Sequence, residues 1–142
     1  MNTEDKELLL DDLCARLPYG VMLSITHDKY TDETFNARIS TIDYCGEIKV
    51  RHGFEEYEQV YSLEQVKPYL FPLSSMSEEQ KQEYSYIVNY ISPDDTDNWK
   101  EGEFVYVEQM SQLMHFFYRN HLDFRGLIEQ GLANDATGLN IY

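Results

Sequence analysis

The sequence predicts an α+β protein in which an N-terminal helix and a small twisted antiparallel sheet pack against two or three C-terminal helices. The apolar residues follow a helical period up to about residue 17, alternate like strand residues to about residue 61, and return to a helical period after about residue 75. The 142 residues suffice for one domain. We expect a helix and small sheet over residues 1–66, an ordered connector over 67–77 and a mainly helical part over 78–142, all in one compact unit.

The first element is a predicted helix over residues 3–17. Its apolar stripe follows the spacing i, i+3, i+4 and i+7 and consists of Leu10, Leu13, Cys14 and Leu17. We therefore expect Cys14 in the core. Pro18 ends the helix, because a proline disfavours helical backbone at the residue before it.

Three alternating segments follow, and each predicts a half-buried strand. Their alternating members are Tyr19, Val21, Leu23 and Ile25, then Phe35, Ala37, Ile39 and Thr41, and finally Ile48 and Val50. A fourth strand is expected near residues 56–61. Short strands with tight turns between them suggest a compact SH3-like half-barrel, and a simple meander also fits this pattern.

The hairpin between the second and third strands predicts a cluster of basic side chains. A two-residue turn at Cys45-Gly46 would place Ile39 and Val50 on one face of the hairpin. The same register directs three of the chain's 11 basic residues to the opposite face, and these are Arg38, Lys49 and Arg51. They form a candidate anion patch for a small anion or a short RNA segment.

Two capping-box patterns predict helical starts in the middle of the chain. The first, Ser62-Leu63-Glu64-Gln65, opens a short turn, and the second, Ser75-Met76-Ser77-Glu78, opens a longer helix. Helical spacing continues through Tyr84, Ile87, Val88 and Ile91, although the same residue types also fit a strand. On the helix, the side chains of Tyr86 and Tyr90 are directed away from the core stripe, so we expect both to be exposed.

The C-terminal half predicts an acidic loop and two further helices. Residues 92–103 have the composition of an exposed loop, and residues 106–120 of a long helix. The apolar arc of that helix is Tyr106, Met110, Leu113, Met114 and Phe117, and its polar arc is Glu108, Ser111, Gln112, His115 and Arg119. A short final helix is expected over residues 124–132.

The charge of the chain argues against binding along a phosphate backbone. Lys and Arg total 11 against 26 Asp and Glu, a formal net charge of -15. A protein that binds nucleic acid non-specifically gains affinity by neutralising phosphates with basic side chains, and this chain has few. We therefore expect no broad direct nucleic-acid binding, and only the small basic patch remains as a candidate for a short RNA segment.

The residues do not assemble a recognised metal, cofactor or catalytic motif. The glycines at 126 and 131 have P-loop spacing, but Leu132 and Ala133 stand where Lys and a hydroxyl residue are required. Asp95 and Asp97 could begin a calcium loop, yet Lys100 occupies its glycine position. His121 and Asp123 could orient an imidazole for base chemistry, but no nucleophile has a recognisable context. We expect no enzyme activity, cofactor or metal.

The termini and cysteines indicate a cytoplasmic protein. The first seven residues are acidic where a secretory signal is basic, and no apolar run approaches the length of a membrane span. Cys14 and Cys45 are far apart in sequence and lack the spacing of a zinc site. We expect both thiols to be reduced.

Exposed aromatic and acidic residues form the candidate interaction surface. Tyrosine and tryptophan are favoured anchors of protein interfaces, and the surface expected here comprises Tyr86, Tyr90, Trp99, Asp94, Asp95 and Asp97. The sequence therefore predicts a non-enzymatic acidic module that binds another protein, and a basic surface on that protein would complement its charge. The alternatives are an acidic inhibitor that imitates nucleic acid, and a small-anion or nucleotide-binding protein that uses the basic patch.

Three segments resemble blocks of a family of short proteins from gut anaerobic bacteria and their mobile elements. These segments, 12–21, 67–79 and 120–133, read DLCARLPYGV, KPYLFPLSSMSEE and NHLDFRGLIEQGLA. The family more often has Phe at the position of Leu122 and Tyr at that of Phe124. The resemblance implies a shared cytoplasmic scaffold whose intervening segments vary, and it implies no catalytic or binding residues.

The third block yields one expectation for the scaffold. We expect Phe124, Leu127 and Ile128 to dock the final helix, and Arg125 to pair with an acid or cap a carbonyl group.

Overall fold

The computed structural model describes residues 1–28, 31–51, 59–89 and 99–142, and it confirms the α+β class. The helices are α1 (Thr3–Arg16), α2 (Glu78–Asn89) and α3 (Trp99–Arg119). The strands are β1 (Met22–Asp28), β2 (Thr31–Ile42), β3 (Ile48–Val50), β4 (Gln59–Tyr61), β5 (Val66–Pro72), β6 (Leu122–Asp123) and β7 (Asn134–Asp135). Within the described side chains, which exclude residues 28–32, 52–58 and 90–106, two apolar clusters form the core.

Helix α1 buries a different stripe from the one predicted. Asn2 caps it in a reciprocal capping box with Asp5. The buried positions are Leu9, Asp12, Leu13 and Arg16, which also follow i, i+3, i+4 and i+7. The prediction that Cys14 lies in the core is wrong, because the buried stripe is rotated by one residue to include an ion pair and Cys14 is exposed.

The sheet curls on itself, as a half-barrel requires. Strands β1 to β4 form an antiparallel meander, and β5 returns to pair with β1. Strand β2 pairs with β1 up to Arg38 and with β3 from Ile39 onward, and a bulge between Ile39 and Thr41 interrupts the pairing with β3; such bulges bend strands. The ring of Tyr61 in β4 consequently contacts Phe35 in β2 and His27 in β1, across the whole meander.

The predicted two-residue turn at Cys45-Gly46 is wrong. The Asp43 amide donates to the Glu47 carbonyl, and the Gly46 amide donates to the Asp43 carbonyl, so three residues lie between the paired positions. Gly46 has a φ of 78°, the left-handed conformation that such a loop needs at its last position. The Asp43 carboxylate accepts from the amides of Cys45 and Glu47, and the Glu47 amide is the main cause that lowers the Asp43 pKa.

The predicted connector contains a strand of the sheet. Strand β5 occupies its first part, preceded by the predicted capping box in which the Gln65 side chain accepts from the Ser62 amide. Residues 78–89 form a helix and not a strand. The capping box at the start of α2 lies two residues later than predicted, because the side chains of Ser77 and Gln80 cap each other's amides.

Helix α3 begins at residue 99, earlier than predicted, so residues 99–103 are helical where we expected a loop. Its polar arc from residue 108 onward is exposed as predicted, and Phe117 is buried. Phe116 is also fully buried although it lies outside the predicted apolar arc. The end of α3 therefore packs on more than one side.

The predicted final helix over residues 124–132 is wrong, since these residues form turns. Gly126 and Gly131 adopt φ of 73° and 72°, which interrupts any helix. The Asp123 carboxylate accepts from the amides of Leu127 and Ile128 and fixes the turn. Strands β6 and β7 on either side pair in parallel with β5, so the sheet is mixed and not purely antiparallel.

No helix in the described part of the chain combines the length and apolar character needed to cross a bilayer.

Candidate functional site

Among the residues predicted to form the interaction surface, Tyr86 is the one whose side chain the structure describes. Its side chain is 63% exposed on α2. Trp99 is the first residue of α3, but its side chain lies outside the described part of the chain, as do Tyr90 and the acidic residues Asp94, Asp95 and Asp97.

The packing of α2 on α3 explains why Tyr86 is exposed. The ring of Tyr84 contacts Phe116 and Phe117 at centroid distances of 6.1 Å, and Ile87 is buried in the same cluster. At about 100° per residue, Tyr86 lies about 100° from Ile87 and about 160° from Tyr84, away from this contact. The aromatic ring is thus held on the outer side of a helix that is fixed by its neighbours.

Two acidic residues share this side of α2 with Tyr86. Glu79 and Glu83 precede it at the spacing i, i+4 and i+7, and both are exposed. Glu83 pairs with Arg119 of α3, which ties the two helices together at their surface. We call the surface formed by Glu79, Glu83 and Tyr86 the α2 outer face.

A second exposed apolar residue, Val107, belongs to a different surface. Its side chain is 66% exposed. Val107 precedes Phe116 by nine residues on α3, which places it about 13 Å along the axis and about 180° around it from the ring that contacts α2. Val107 and Tyr86 therefore do not form one patch.

The basic residues of the candidate anion patch lie on the outer face of the half-barrel. Arg38 flanks the buried residues Ala37 and Ile39, and Lys49 and Arg51 flank the buried Val50. Ile39 pairs with Val50, so Arg38 and Arg51 are the next residues along the two strands. The register predicted for β2 and β3 was wrong. The bulge beside Ser40 shifts the pairing by one residue, so that Arg38 and Arg51 nevertheless lie on the same face of the sheet, as the prediction required.

A buried ion-pair cluster joins α1 to the end of the chain. The side chains of Asp12 and Arg16 are both fully buried, and the Arg16 Nε donates to the Asp12 Oδ2 at 2.6 Å. One Arg16 Nη donates to the Leu122 carbonyl at 2.8 Å. Arg125 approaches the second Asp12 oxygen at 3.5 Å, which confirms that Arg125 pairs with an acid.

Aromatic rings surround the excess positive charge of this cluster. The Arg16 guanidinium lies 5.3 Å from the ring centroid of Tyr118 and 6.0 Å from that of Phe124. Arg125 lies 5.4 Å from the Phe124 centroid and donates to the Tyr118 hydroxyl. Cation–π contacts of this kind are stronger when the cation is removed from water, so the rings help to hold two guanidinium groups beside one carboxylate.

His121 and Tyr142 form a stacked pair next to this cluster. Their ring centroids are 3.8 Å apart with an interplanar angle of 11°. The Tyr142 hydroxyl donates to the Tyr69 carbonyl at 2.5 Å and accepts from the Met22 amide at 3.3 Å, and so bridges β5 and β1. Burial lowers the pKa of His121 to about 4, with Arg16 and Arg38 adding to the shift. Burial also raises the pKa of Tyr142 to about 12.

The structure does not join His121 to Asp123 as a catalytic pair. Both Asp123 oxygens accept from backbone amides, and the His121 imidazole stacks on Tyr142. His115 is exposed, as predicted, and its Nδ1 is hydrogen-bonded to the Tyr19 hydroxyl. Burial, and secondarily Asp11, raises the pKa of the Cys14 thiol. Among the described residues, no group of three or more His, Cys, Asp or Glu side chains could hold a metal ion.

Sequence reasoning missed Asp12, Arg16 and Tyr142. The i, i+4 spacing of Asp12 and Arg16 was a visible signal, but such pairs usually lie on helix surfaces. Nothing local distinguishes Tyr142, whose hydrogen-bond partners are more than 70 residues away.

Comparisons of the chain with family models, curated proteins and solved structures found no match.

Proposed function

We propose that the protein is a non-catalytic interaction module that binds a partner protein with a basic surface through the α2 outer face. The observation that carries this proposal is the exposure of Tyr86, which leaves 63% of a large aromatic side chain in solvent on a fixed helix. Tyrosines of this kind are frequent hot spots, because they bury a large area at a small cost in side-chain entropy.

The charge of the sequence that includes α2 favours a basic partner. Between Glu78 and Glu108 the chain carries nine acidic and only two basic residues. Complementary charge steers association and fixes orientation, whereas the buried aromatic anchor supplies most of the affinity. A partner with Lys and Arg around an apolar pocket fits both features.

A capture experiment with matched variants tests the proposal. The tagged wild-type protein, Tyr86→Ala and Tyr44→Ala are used as bait in bacterial lysate, and bound proteins are identified by mass spectrometry. Tyr44 is a suitable control, because it is 100% exposed in the β2–β3 turn. We expect a protein that is retained by the wild type and Tyr44→Ala and lost with Tyr86→Ala, since a hot-spot tyrosine contributes about 2 kcal/mol, or about 30-fold in Kd.

The purified partner then allows a measurement of salt dependence. Glu79→Gln should weaken binding at low salt and have little effect at high salt, because salt screens exposed charges. A captured protein that Tyr86→Ala binds as tightly as the wild type does would contradict the proposal. If its binding were also lost at moderate salt, the acidic surface as a whole would be the binding determinant, as an acidic inhibitor requires.

A further inference from the structure

Tyr142 fills a gap along one edge of strand β5. The pairs between β1 and β5 are Leu23–Pro68, Ser24–Lys67 and Ile25–Val66. In the same register the next pair would be Met22 and Tyr69. The Tyr142 hydroxyl takes the place of their ladder hydrogen bond, because it accepts from the Met22 amide at 3.3 Å and donates to the Tyr69 carbonyl at 2.5 Å. The gap therefore begins where β1 leaves β5.

The other end of the gap is the start of β6. Alternate residues of a strand direct their backbone groups to the same edge, so the Phe71 amide faces the edge that the Tyr69 carbonyl faces. The Phe71 amide donates to the His121 carbonyl at 2.9 Å. Since His121 immediately precedes β6, strand β5 fixes its position. The gap is thus bounded by β1 on one side and by His121 on the other.

The walls of the gap suit a phenol ring. The His121 imidazole stacks on the Tyr142 ring at a centroid distance of 3.8 Å, and the Phe71 ring lies 5.8 Å from it. Ligand sites typically combine such apolar walls with a few placed polar groups, and here a backbone amide and a backbone carbonyl meet the hydroxyl. Tyr142 is 40% exposed, so the occupied gap is open to solvent on one side.

Residues 137–142, which we call the C-terminal strap, carry the ring to the gap. Residues 137–140 are exposed. The amides of Thr137 and Leu139 donate to groups immediately before the strap, so these bonds do not fasten it to the strands beside the gap. The side chain of Tyr142 therefore attaches the far end of the strap to the sheet.

We propose that the gap is a binding site for a 4-hydroxyphenyl group, and that Tyr142 is its internal ligand on a displaceable strap. A partner's tyrosine and a free phenol share this group. A ring on a short flexible tether competes at an effective concentration of about millimolar, so an external ligand binds more weakly while the strap is closed. This site is separate from the α2 outer face and does not depend on the function proposed for it.

Titration of a strap variant tests the requirement for the hydroxyl. The full chain with Tyr142→Ala is titrated with N-acetyltyrosinamide and with N-acetylphenylalaninamide, and the amide NMR signal of Met22 is followed. We expect the tyrosine amide to bind at least about fivefold more tightly, because a phenyl ring leaves the Met22 amide and the Tyr69 carbonyl unpaired. Equal affinities, or no saturable shift of the Met22 signal, would overturn the proposal.

Two further variants serve as controls. Leu139→Ala changes an exposed strap residue and should bind the tyrosine amide as the wild type does. Tyr142→Phe keeps the ring without its hydroxyl, so it should bind more tightly than the wild type and more weakly than Tyr142→Ala. If Tyr142→Ala does not fold, Tyr142→Phe takes its place in the titration. Equal binding by the wild type and by the Tyr142 variants would place the ligand elsewhere and overturn the proposal.

Hydrogen exchange of the wild type tests whether the strap is displaceable. The Met22 amide is compared with the amide of Ile39, which donates to the Val21 carbonyl at 3.1 Å. At low urea concentrations, the exchange rate of Met22 should be independent of urea, because local opening exposes little surface, whereas that of Ile39 should rise with urea. An equal urea dependence would mean that only global unfolding releases the ring, which would overturn the displaceable strap.

A third ligand identifies the source of the phenol. p-Cresol presents the ring without a peptide group. If N-acetyltyrosinamide binds more tightly than p-cresol, the site recognises a tyrosine of another polypeptide, whereas the reverse order indicates a free phenol. Either order supports recognition of a 4-hydroxyphenyl group.

Discussion

The buried pair of Asp12 and Arg16 yields a quantitative prediction for stability. Asp12 accepts from Arg16 at 2.6 Å and lies 3.5 Å from Arg125, so this carboxylate balances two guanidinium groups. Asp12→Asn keeps the shape of the side chain but removes its charge. It therefore leaves a fully buried Arg16 with only neutral partners, namely the amide oxygen of the new side chain, the Leu122 carbonyl and two aromatic rings.

The expected cost follows from the burial of the pair. Removing one partner of a buried ion pair costs about 3–5 kcal/mol, because the remaining charge stays out of water without compensation. At about 2.1 cal/mol/K per residue, the unfolding entropy of this chain is about 0.3 kcal/mol/K, so a loss of about 4 kcal/mol lowers Tm by about 13 °C. Arg16→Met should cost less, because Arg125 remains beside the Asp12 carboxylate.

Urea unfolding followed by circular dichroism measures these differences in a double-mutant cycle. Asp12→Asn, Arg16→Met and the double variant are compared with the wild type at neutral pH. We expect the double variant to be more stable than the sum of the single losses implies, since each single change leaves a partner that the double change also removes. A loss below about 1 kcal/mol for Asp12→Asn, or a larger loss for Arg16→Met than for Asp12→Asn, would refute the assigned roles.

Three further predictions concern the end of the chain. Tyr142→Phe should cost about 1–2 kcal/mol of unfolding free energy in urea titrations, because the Met22 amide and the Tyr69 carbonyl both lose a partner; an unchanged midpoint would contradict the bridge. The depressed His121 pKa of about 4 means that the unfolded chain binds the proton first, so Tm should fall as the pH drops from about 6.5 towards 4. His121→Asn, which tolerates the φ of 52°, should fall less steeply over that range, and equal slopes would count against this role. Gly131→Ala should lower the free energy of unfolding by about 1–2 kcal/mol, because the φ of Gly131 is 72° and an alanine is strained there. A stabilisation of about 1 kcal/mol, visible as a higher Tm, would instead indicate that these residues form the helix predicted from the sequence.

Elements whose signal is local were predicted well. The capping box at Ser62 formed as the sequence indicated, and α2 is helical where residue types alone allowed a strand. The alternation predicted for the first strand was correct in part, since Val21, Leu23 and Ile25 are all fully buried, whereas Tyr19 lies in a short 3₁₀ turn before β1. In each case residues that are close in the sequence supply both the pattern and the contacts that stabilise the element.

The predictions were wrong for elements whose structure depends on residues that are distant in the sequence. The sequence predicted that Cys14 is buried on α1, but the structure buries Arg16 instead. The guanidinium of Arg16 donates to the carbonyl of Leu122, which lies 106 residues away along the chain. The turn after Asp123 was predicted to be a helix, and Phe124, Leu127 and Ile128 do follow the helical spacing i, i+3 and i+4. The amides of Leu127 and Ile128 instead bind the Asp123 carboxylate, and the flanking strands pair with β5.

The same long-range contacts determine how the proposed interaction surface can be tested. Strand β5 pairs with β1 of the half-barrel and with β6, which follows α3, so the sheet and the helical hairpin share one scaffold. Tyr86 is exposed on this scaffold and does not contribute to the buried Asp12–Arg16 cluster that joins its parts. Substitutions of exposed residues away from such clusters change stability by only about 0.5 kcal/mol. Tyr86→Ala should therefore abolish partner capture and leave the midpoint of urea unfolding almost unchanged, and a variant that lost both would point to a loss of the scaffold.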